Sequence, residues 1–278
     1  MRIAPHVVVL ALLTAACTTD GTERGPSGPT RQPGQPLGFT DVAADIGLDF
    51  QHSAFHWDVT PDVGVMLGGG VCWLDYDGDG WLDLFAVNSY SQAEASRWQG
   101  EGGVPRSALF HNQEGTFTDV SAGSGADVAI RGNGCVAADF DMDGRTDLYV
   151  TGSESSVLLW NEGDGRFSDG TTDARVEAFG WRAGAAVGDV NADGWPDLFV
   201  AGYVDLANPA PQATLGFPNT YLGVRDLLYL SQGPEDDGRV TFREVGVDAG
   251  LEVASFEYGL GAVLTDADVD GDLDLYLA

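Results

Sequence analysis

Four stretches of the chain space carboxylates as a hard cation needs them: DYDGDGWLDLFAV from Asp75, DFDMDGRTDLYV from Asp139, DVNADGWPDLFV from Asp189 and DADVDGDLDLYL from Asp266. Each reads D-x-[DN]-x-D-G-x-x-D-L-[FY]. Side-chain oxygens at positions 1, 3, 5 and 9, with the main-chain carbonyl at position 7, can wrap Ca²⁺ at about 2.3–2.6 Å. Glycine at position 6 permits the sharp turn this requires. The candidate ligands are Asp75, Asp77, Asp79, Trp81 (carbonyl) and Asp83 in the first loop, and Asp139, Asp141, Asp143, Arg145 (carbonyl) and Asp147 in the second. The third offers Asp189, Asn191, Asp193, Trp195 (carbonyl) and Asp197, with the Asn191 amide lowering the site charge by one. The fourth offers Asp266, Asp268, Asp270, Asp272 (carbonyl) and Asp274. Oxygen-only donors favour calcium over zinc or copper, so up to four Ca²⁺ ions are expected. The bland alternative is an acidic turn with a purely structural role; one loop is open to it, and four in register argue against it.

These loops are not EF-hands. Position 12, where an EF-hand needs a bidentate Glu, holds Ala86, Val150, Val200 and Leu277. Each loop also runs directly into an alternating stretch rich in β-formers, which places the acidic turn between two strands. A glycine stands five residues ahead of each first aspartate (Gly70, Gly134, Gly184, Gly261), and the first aspartates are 64, 50 and 77 residues apart. A second signature comes after the loops. Leu109-Phe110-His111-Asn112 leads through a Gly turn to Phe117-Thr118-Asp119-Val120, Leu158-Leu159-Trp160-Asn161 to Phe167-Ser168-Asp169, and Leu228-Tyr229-Leu230-Ser231 to Phe242-Arg243-Glu244-Val245. The units thus read as four short strands each, the pattern of propeller blades.

With these motifs in place, residues 38–278 resemble the FG-GAP/VCBS repeats found in integrin α-chain propellers. The feature order is more similar to bacterial relatives of cartilage acidic protein, whose opening looks like Phe39-Thr40-Asp41-Val42 followed by Gly47-Leu48-Asp49-Phe50-Gln51-His52 and Gly68-Gly69-Gly70. The resemblance implies an all-β propeller of four-stranded blades, seven when complete. Phe39 with Gly47 repeats the eight-residue step of Phe117 with Gly125 and of Phe242 with Gly250, so the opening reads as the fourth strand of a blade. The chain then holds about three and a half blades, and we expect a truncated sequence; a short protein that closes by oligomerisation is the alternative.

The remaining features bound the function. Against 13 Lys plus Arg stand 43 Asp plus Glu, a formal charge of −30, which repels nucleic acid and anionic membranes and attracts cations. Residues 1–16 read as a lipoprotein-type signal peptide ending in Leu13-Thr14-Ala15-Ala16-Cys17, with Cys17 the lipidated residue. An ordinary signal cleaved near Ala16 is the alternative, giving a secreted or periplasmic protein rather than an outer-membrane or cell-surface lipoprotein. Residues 17–37, rich in Gly, Pro, Thr and Ser, read as a disordered tether, so the membrane is met only through the N-terminal anchor. Cys72 and Cys135 sit at different offsets in related strands; pointing to opposite faces, they are expected as two buried free thiols, with a disulfide as the alternative.

Catalytic signals are sparse: the sequence has no Gly-x-Ser-x-Gly elbow, HExxH or phosphate loop. His52 and His56 lie four apart near Trp57 and Asp58, a pattern more often structural than catalytic, and His111 reads as half-buried packing. Trp73, Trp81, Trp160, Trp181 and Trp195 are expected to pack rather than to stack on sugars. The segment 203–226, with three prolines, Phe217 and Tyr221, is either a connector or a ligand loop. The favoured reading is a non-enzymatic module that binds an extracellular protein or glycan; the alternative is a polysaccharide lyase or hydrolase whose site lies partly beyond residue 278.

Overall fold

The alternating stretches on either side of each acidic loop form antiparallel ladders. A computed structural model describes residues 39–53, 62–210, 216–235, 238–251 and 257–278. The signal peptide, Cys17, the tether and His56 lie outside the described residues. The chain divides into Met1–Asp41 and Val42–Ala278, and every sheet belongs to the second part.

Among the described residues lie three four-stranded sheets and two two-stranded ones. The first sheet contains β1 (Val71–Leu74), β2 (Asp83–Ala86), β3 (Ala108–Gln113) and β4 (Thr116–Asp119) in that order. The second contains β5 (Gly132–Ala138), β6 (Asp147–Gly152), β7 (Val157–Gly163) and β8 (Arg166–Asp169). The third is built from β9 (Arg182–Gly188) and β10 (Asp197–Gly202), then an excursion through the separate hairpin β11 (Val204–Pro209) and β12 (Tyr221–Gly223), then β13 (Leu227–Pro234) and β14 (Val240–Glu244). The last pair is β15 (Ala262–Thr265) with β16 (Asp274–Leu277). Each acidic loop joins the first and second strands of its sheet. The protein is therefore all-β, with sheets of the strand content and order expected of propeller blades. The strand expected at Phe39-Thr40-Asp41-Val42 is not formed among the described residues; a strand exists through ladder bonds to a partner, and no described strand offers one.

The glycines ahead of the loops explain how sheets meet. First strands lie side by side, β1 next to β5, β5 next to β9, and β9 next to β15. A Cβ on Gly70 would stand 2.9 Å from Cα of Gly134, and one on Gly184 2.8 Å from the Leu260 carbonyl oxygen. Side chains larger than hydrogen do not fit between these backbones.

The core lies between successive sheets. Because side chains alternate across a strand, Leu148 and Val150 of β6 pack with Leu74, Phe85 and Leu109 of the first sheet. Tyr149 between them faces the other way, joining Leu198, Val200, Tyr229 and Phe242 of the third. Both faces of β6 and β10 are buried, and their hydrophobic runs are continuous for that reason.

The cysteines overturn one expectation. Cys72 of β1 and Cys135 of β5 form a disulfide, with their Cα atoms 6.0 Å apart. The different offsets do point the two side chains to opposite faces of their own sheets. Successive sheets, however, pack the front of one against the back of the next, so opposite faces meet, and the residues that the offsets separate within a repeat are joined between repeats.

A second junction uses the turn after each fourth strand. The Phe117 N–H donates to the Ile46 carbonyl at 2.7 Å, Phe167 to Ser124 at 2.6 Å and Phe242 to Ala174 at 2.9 Å. The next residue in each turn is left-handed: Gly47 (φ 88°), Gly125 (φ 81°) and Arg175 (φ 61°). The Phe-to-Gly step in the sequence therefore marks where one unit docks on the next.

Candidate metal centres

Each acidic loop is coiled by its own carboxylates. In the first, Asp75 accepts from the N–H groups of Gly78 (2.9 Å), Asp79 (3.1 Å) and Gly80 (3.0 Å), Asp77 from Asp79 (3.2 Å), and Asp79 from Trp81 (2.8 Å). The second repeats this: Asp139 accepts from Asp143 and Gly144, Asp141 from Asp143, and Asp143 from Arg145. In the third, Asp189, Asn191 and Asp193 accept from Asp193, Gly194 and Trp195 in the same places. In the fourth, Asp266 accepts from Asp270 and Gly271, and Asp270 from Asp272.

The backbone reverses hand twice in each loop. Position 6 has positive φ at Gly80, Gly144, Gly194 and Gly271, as its glycine implies, but position 4 does too, at Gly78 (75°), Met142 (58°), Ala192 (56°) and Val269 (65°). Left-handed backbone at a non-glycine residue costs about 1–2 kcal/mol. The sequence gives no sign of it, because three of the four residues are not glycine.

The coil gathers the acids. Carboxylate oxygens of Asp75, Asp77 and Asp79 lie within 4.8 Å of one another, as do those of Asp139, Asp141 and Asp147, and those of Asp266, Asp268 and Asp274. In the third loop the Asn191 amide nitrogen donates to Asp193 at 2.8 Å. The position-7 residues Trp81, Arg145, Trp195 and Asp272 continue the turn with their N–H groups bound to position 5. Arg145 also folds its guanidinium onto Asp143 and donates through Nε to the Asn161 carbonyl at 2.6 Å.

Position 9 has a second task. Asp83, Asp147 and Asp197 are fully buried or nearly so. Asp83 accepts from the N–H groups of Tyr76 (3.1 Å) and Asn112 (2.7 Å), Asp147 from Phe140 (3.0 Å) and Asn161 (2.7 Å), and Asp197 from Val190 (2.9 Å) and Ser231 (2.8 Å). Asp274 is exposed and accepts from Ala267. The ninth residue thus ties its loop to the third strand of the sheet. Burial pushes the Asp147 carboxyl up to about 8 despite these N–H groups, and burial likewise raises Asp83, Asp141 and Asp197. Asp268 is raised by the neighbouring Asp270 charge first. Charges gathered and held at such cost suit a cation, which would relieve both the repulsion and the burial. Every donor that the loops themselves offer is oxygen, so the residues fit Ca²⁺.

The histidines and aromatics divide between core and surface. His111 is half-buried, as expected, yet it also lies beside Asp77 and Asp83. The signal that marks it is register: it precedes Asn112 as Trp160 precedes Asn161 and Leu230 precedes Ser231. The imidazole of His52 sits close to Gly69, where burial lowers its pKa. Trp181 is core, edge-to-face with Tyr203. Trp73 and Trp81 are 53% and 46% exposed, and Trp73 sets its ring against Phe117 with centroids 6.1 Å apart. They line an open apolar concavity with Leu82 and Phe117 beside the first loop. The segment 203–226 is anchored by Phe217 and Tyr221 against Trp181, Tyr203 and Tyr258.

In comparison with known protein families, a model described as FG-GAP-like repeat matches residues 75–150 and again residues 139–200. The chain therefore carries two FG-GAP-like repeats, each beginning at the first aspartate of an acidic loop. Comparison with curated proteins finds no match.

Proposed function

We propose that the protein is an exported, lipid-anchored β-propeller of FG-GAP/VCBS blades, akin to bacterial members of the cartilage acidic protein family. Its acidic loops hold Ca²⁺, and it acts by binding an extracellular protein or glycan. The observation that carries the calcium reading is the repeated coil itself, which converges carboxylates in the first, second and fourth loops while its backbone N–H groups are already satisfied. Ca²⁺ bound at positions 1, 3, 5, 7 and 9 would fasten the turn between the first and second strands to the third strand through Asp83, Asp147 and Asp197. Each filled site adds about 2.7 kcal/mol of stability at a hundredfold excess of ion over its Kd. Calcium thus stiffens one end of every sheet and fixes the loops that meet the partner. Such surface loops are where a rigid β scaffold carries recognition. The test is equilibrium dialysis of the full chain against radioactive calcium: the proposal expects three to four ions per chain, displaced weakly by Mg²⁺, and binding below one ion per chain would refute it.

A further inference from the structure

We propose that the first acidic loop is a mixed nitrogen–oxygen site that takes Zn²⁺ in preference to Ca²⁺, with His111, Asp77 and Asp83 as ligands. This rests on the reading of the loops as cation sites and separates one of them from the rest. His111 Nδ1 lies 3.2 Å from Asp77 Oδ2 and 3.4 Å from Asp83 Oδ1. One donor atom from each of the three residues lies within 4.8 Å of the other two.

The Nδ1 atom is buried, and neither oxygen stands where a hydrogen bond would place it. These separations match the edge of a coordination polyhedron: ligands at about 2.0–2.2 Å from Zn²⁺ in tetrahedral array are about 3.3–3.6 Å apart. Distance alone would also suit calcium; the donor type decides, because Ca²⁺ is an oxygen-seeking ion and imidazole suits zinc-class metals.

The ligands are held in place by the fold. Asp83 is fully buried, and its two oxygens accept from Tyr76 and Asn112. The imidazole meets the Tyr76 ring edge-on, with centroids 6.0 Å apart and planes at 84°. The same third-strand position holds Trp160 in the second unit and Leu230 in the third, neither of which can ligate. Those units therefore keep oxygen-only chemistry, and the substitution at one strand position changes the class of ion.

The test is a titration of the untagged full chain with Zn²⁺ in millimolar Ca²⁺, read by competition with a chelating dye and repeated with Co²⁺, whose visible absorption reports nitrogen ligation. One equivalent of Zn²⁺ is expected. His111→Leu, which installs the residue of the third unit, should weaken it at least tenfold and abolish the Co²⁺ band, and D77N should weaken it as well. Calcium bound by the other loops should be unchanged in both variants, which also shows that they fold. Zinc binding that is absent from the wild type, or indifferent to His111→Leu, overturns the assignment while leaving the calcium sites standing. Binding of neither ion overturns both.

Discussion

The junction between units yields the sharpest prediction about the fold. Gly125, Gly47 and Gly250 share left-handed backbone, with φ of 81°, 88° and 87°. A Cβ on Gly125 would stand 2.1 Å from the Phe167 carbonyl oxygen, and one on Gly47 2.1 Å from that of Phe117, whereas one on Gly250 meets no atom of a described residue within 4 Å. Alanine at Gly250 therefore costs backbone strain alone, about 1–2 kcal/mol. Alanine at Gly125 adds overpacking of about 1–3 kcal/mol. It also strains the 2.6 Å bond from Phe167 to Ser124, whose loss costs about 1–3 kcal/mol more. The sum is about 3–8 kcal/mol. At about 2–4 °C per kcal/mol for a domain of this size, Gly250→Ala should lower Tm by about 4 °C and Gly125→Ala by about 10 °C or more. Thermal melts of the two variants in one buffer check this. Equal shifts would refute the claim that the turn glycine is a docking point between units and reduce it to a turn residue.

The disulfide, the ninth aspartate and one ion pair give three further outcomes. Replacing Cys72 and Cys135 with serine opens a crosslink between residues 63 apart and should cost about 4 kcal/mol on the loop-entropy model, seen as a lower melt that reductant no longer shifts. Asp147→Ala leaves two backbone N–H groups without their acceptor and should cost about 2–5 kcal/mol even in EDTA, whereas Asp141→Ala should matter mainly when calcium is present; melts with and without chelator separate the two. Glu244 is held below the usual carboxylate range, chiefly by hydrogen bonds from Arg225. Its contribution is fully present above its unfolded pKa and disappears as pH falls through the lowered folded value. Glu244→Gln should therefore lower stability by a constant amount at neutral and alkaline pH and flatten the acid limb of the stability-versus-pH curve.

What could be read in the sequence was what is local. Aspartates within nine residues of each other define a loop whatever surrounds them, and the glycine at position 6 announces its turn. The β-forming stretch that follows each loop announces the strand that begins there. The unread features depend on which unit faces which. The offsets of Cys72 and Cys135 described their faces correctly, and only the packing of one sheet's front on the next sheet's back turns that into a disulfide. His111 looked like packing because its acidic neighbours come from a loop about thirty residues earlier, brought to it by the pairing of β2 with β3. Position 9 looked like one more ligand because a carboxylate serves a cation and two backbone N–H groups with the same oxygens. Arg175 hid the docking turn of the second unit, since an arginine with φ of 61° carries no glycine's signature.

The most direct test of the calcium account is the thermal melt of the full chain in excess Ca²⁺, in excess Mg²⁺ and in EDTA. The account predicts one cooperative transition that calcium moves upward by several degrees relative to EDTA, with magnesium giving a clearly smaller shift. A melt indifferent to the chelator, or moved equally by the two ions, would contradict it.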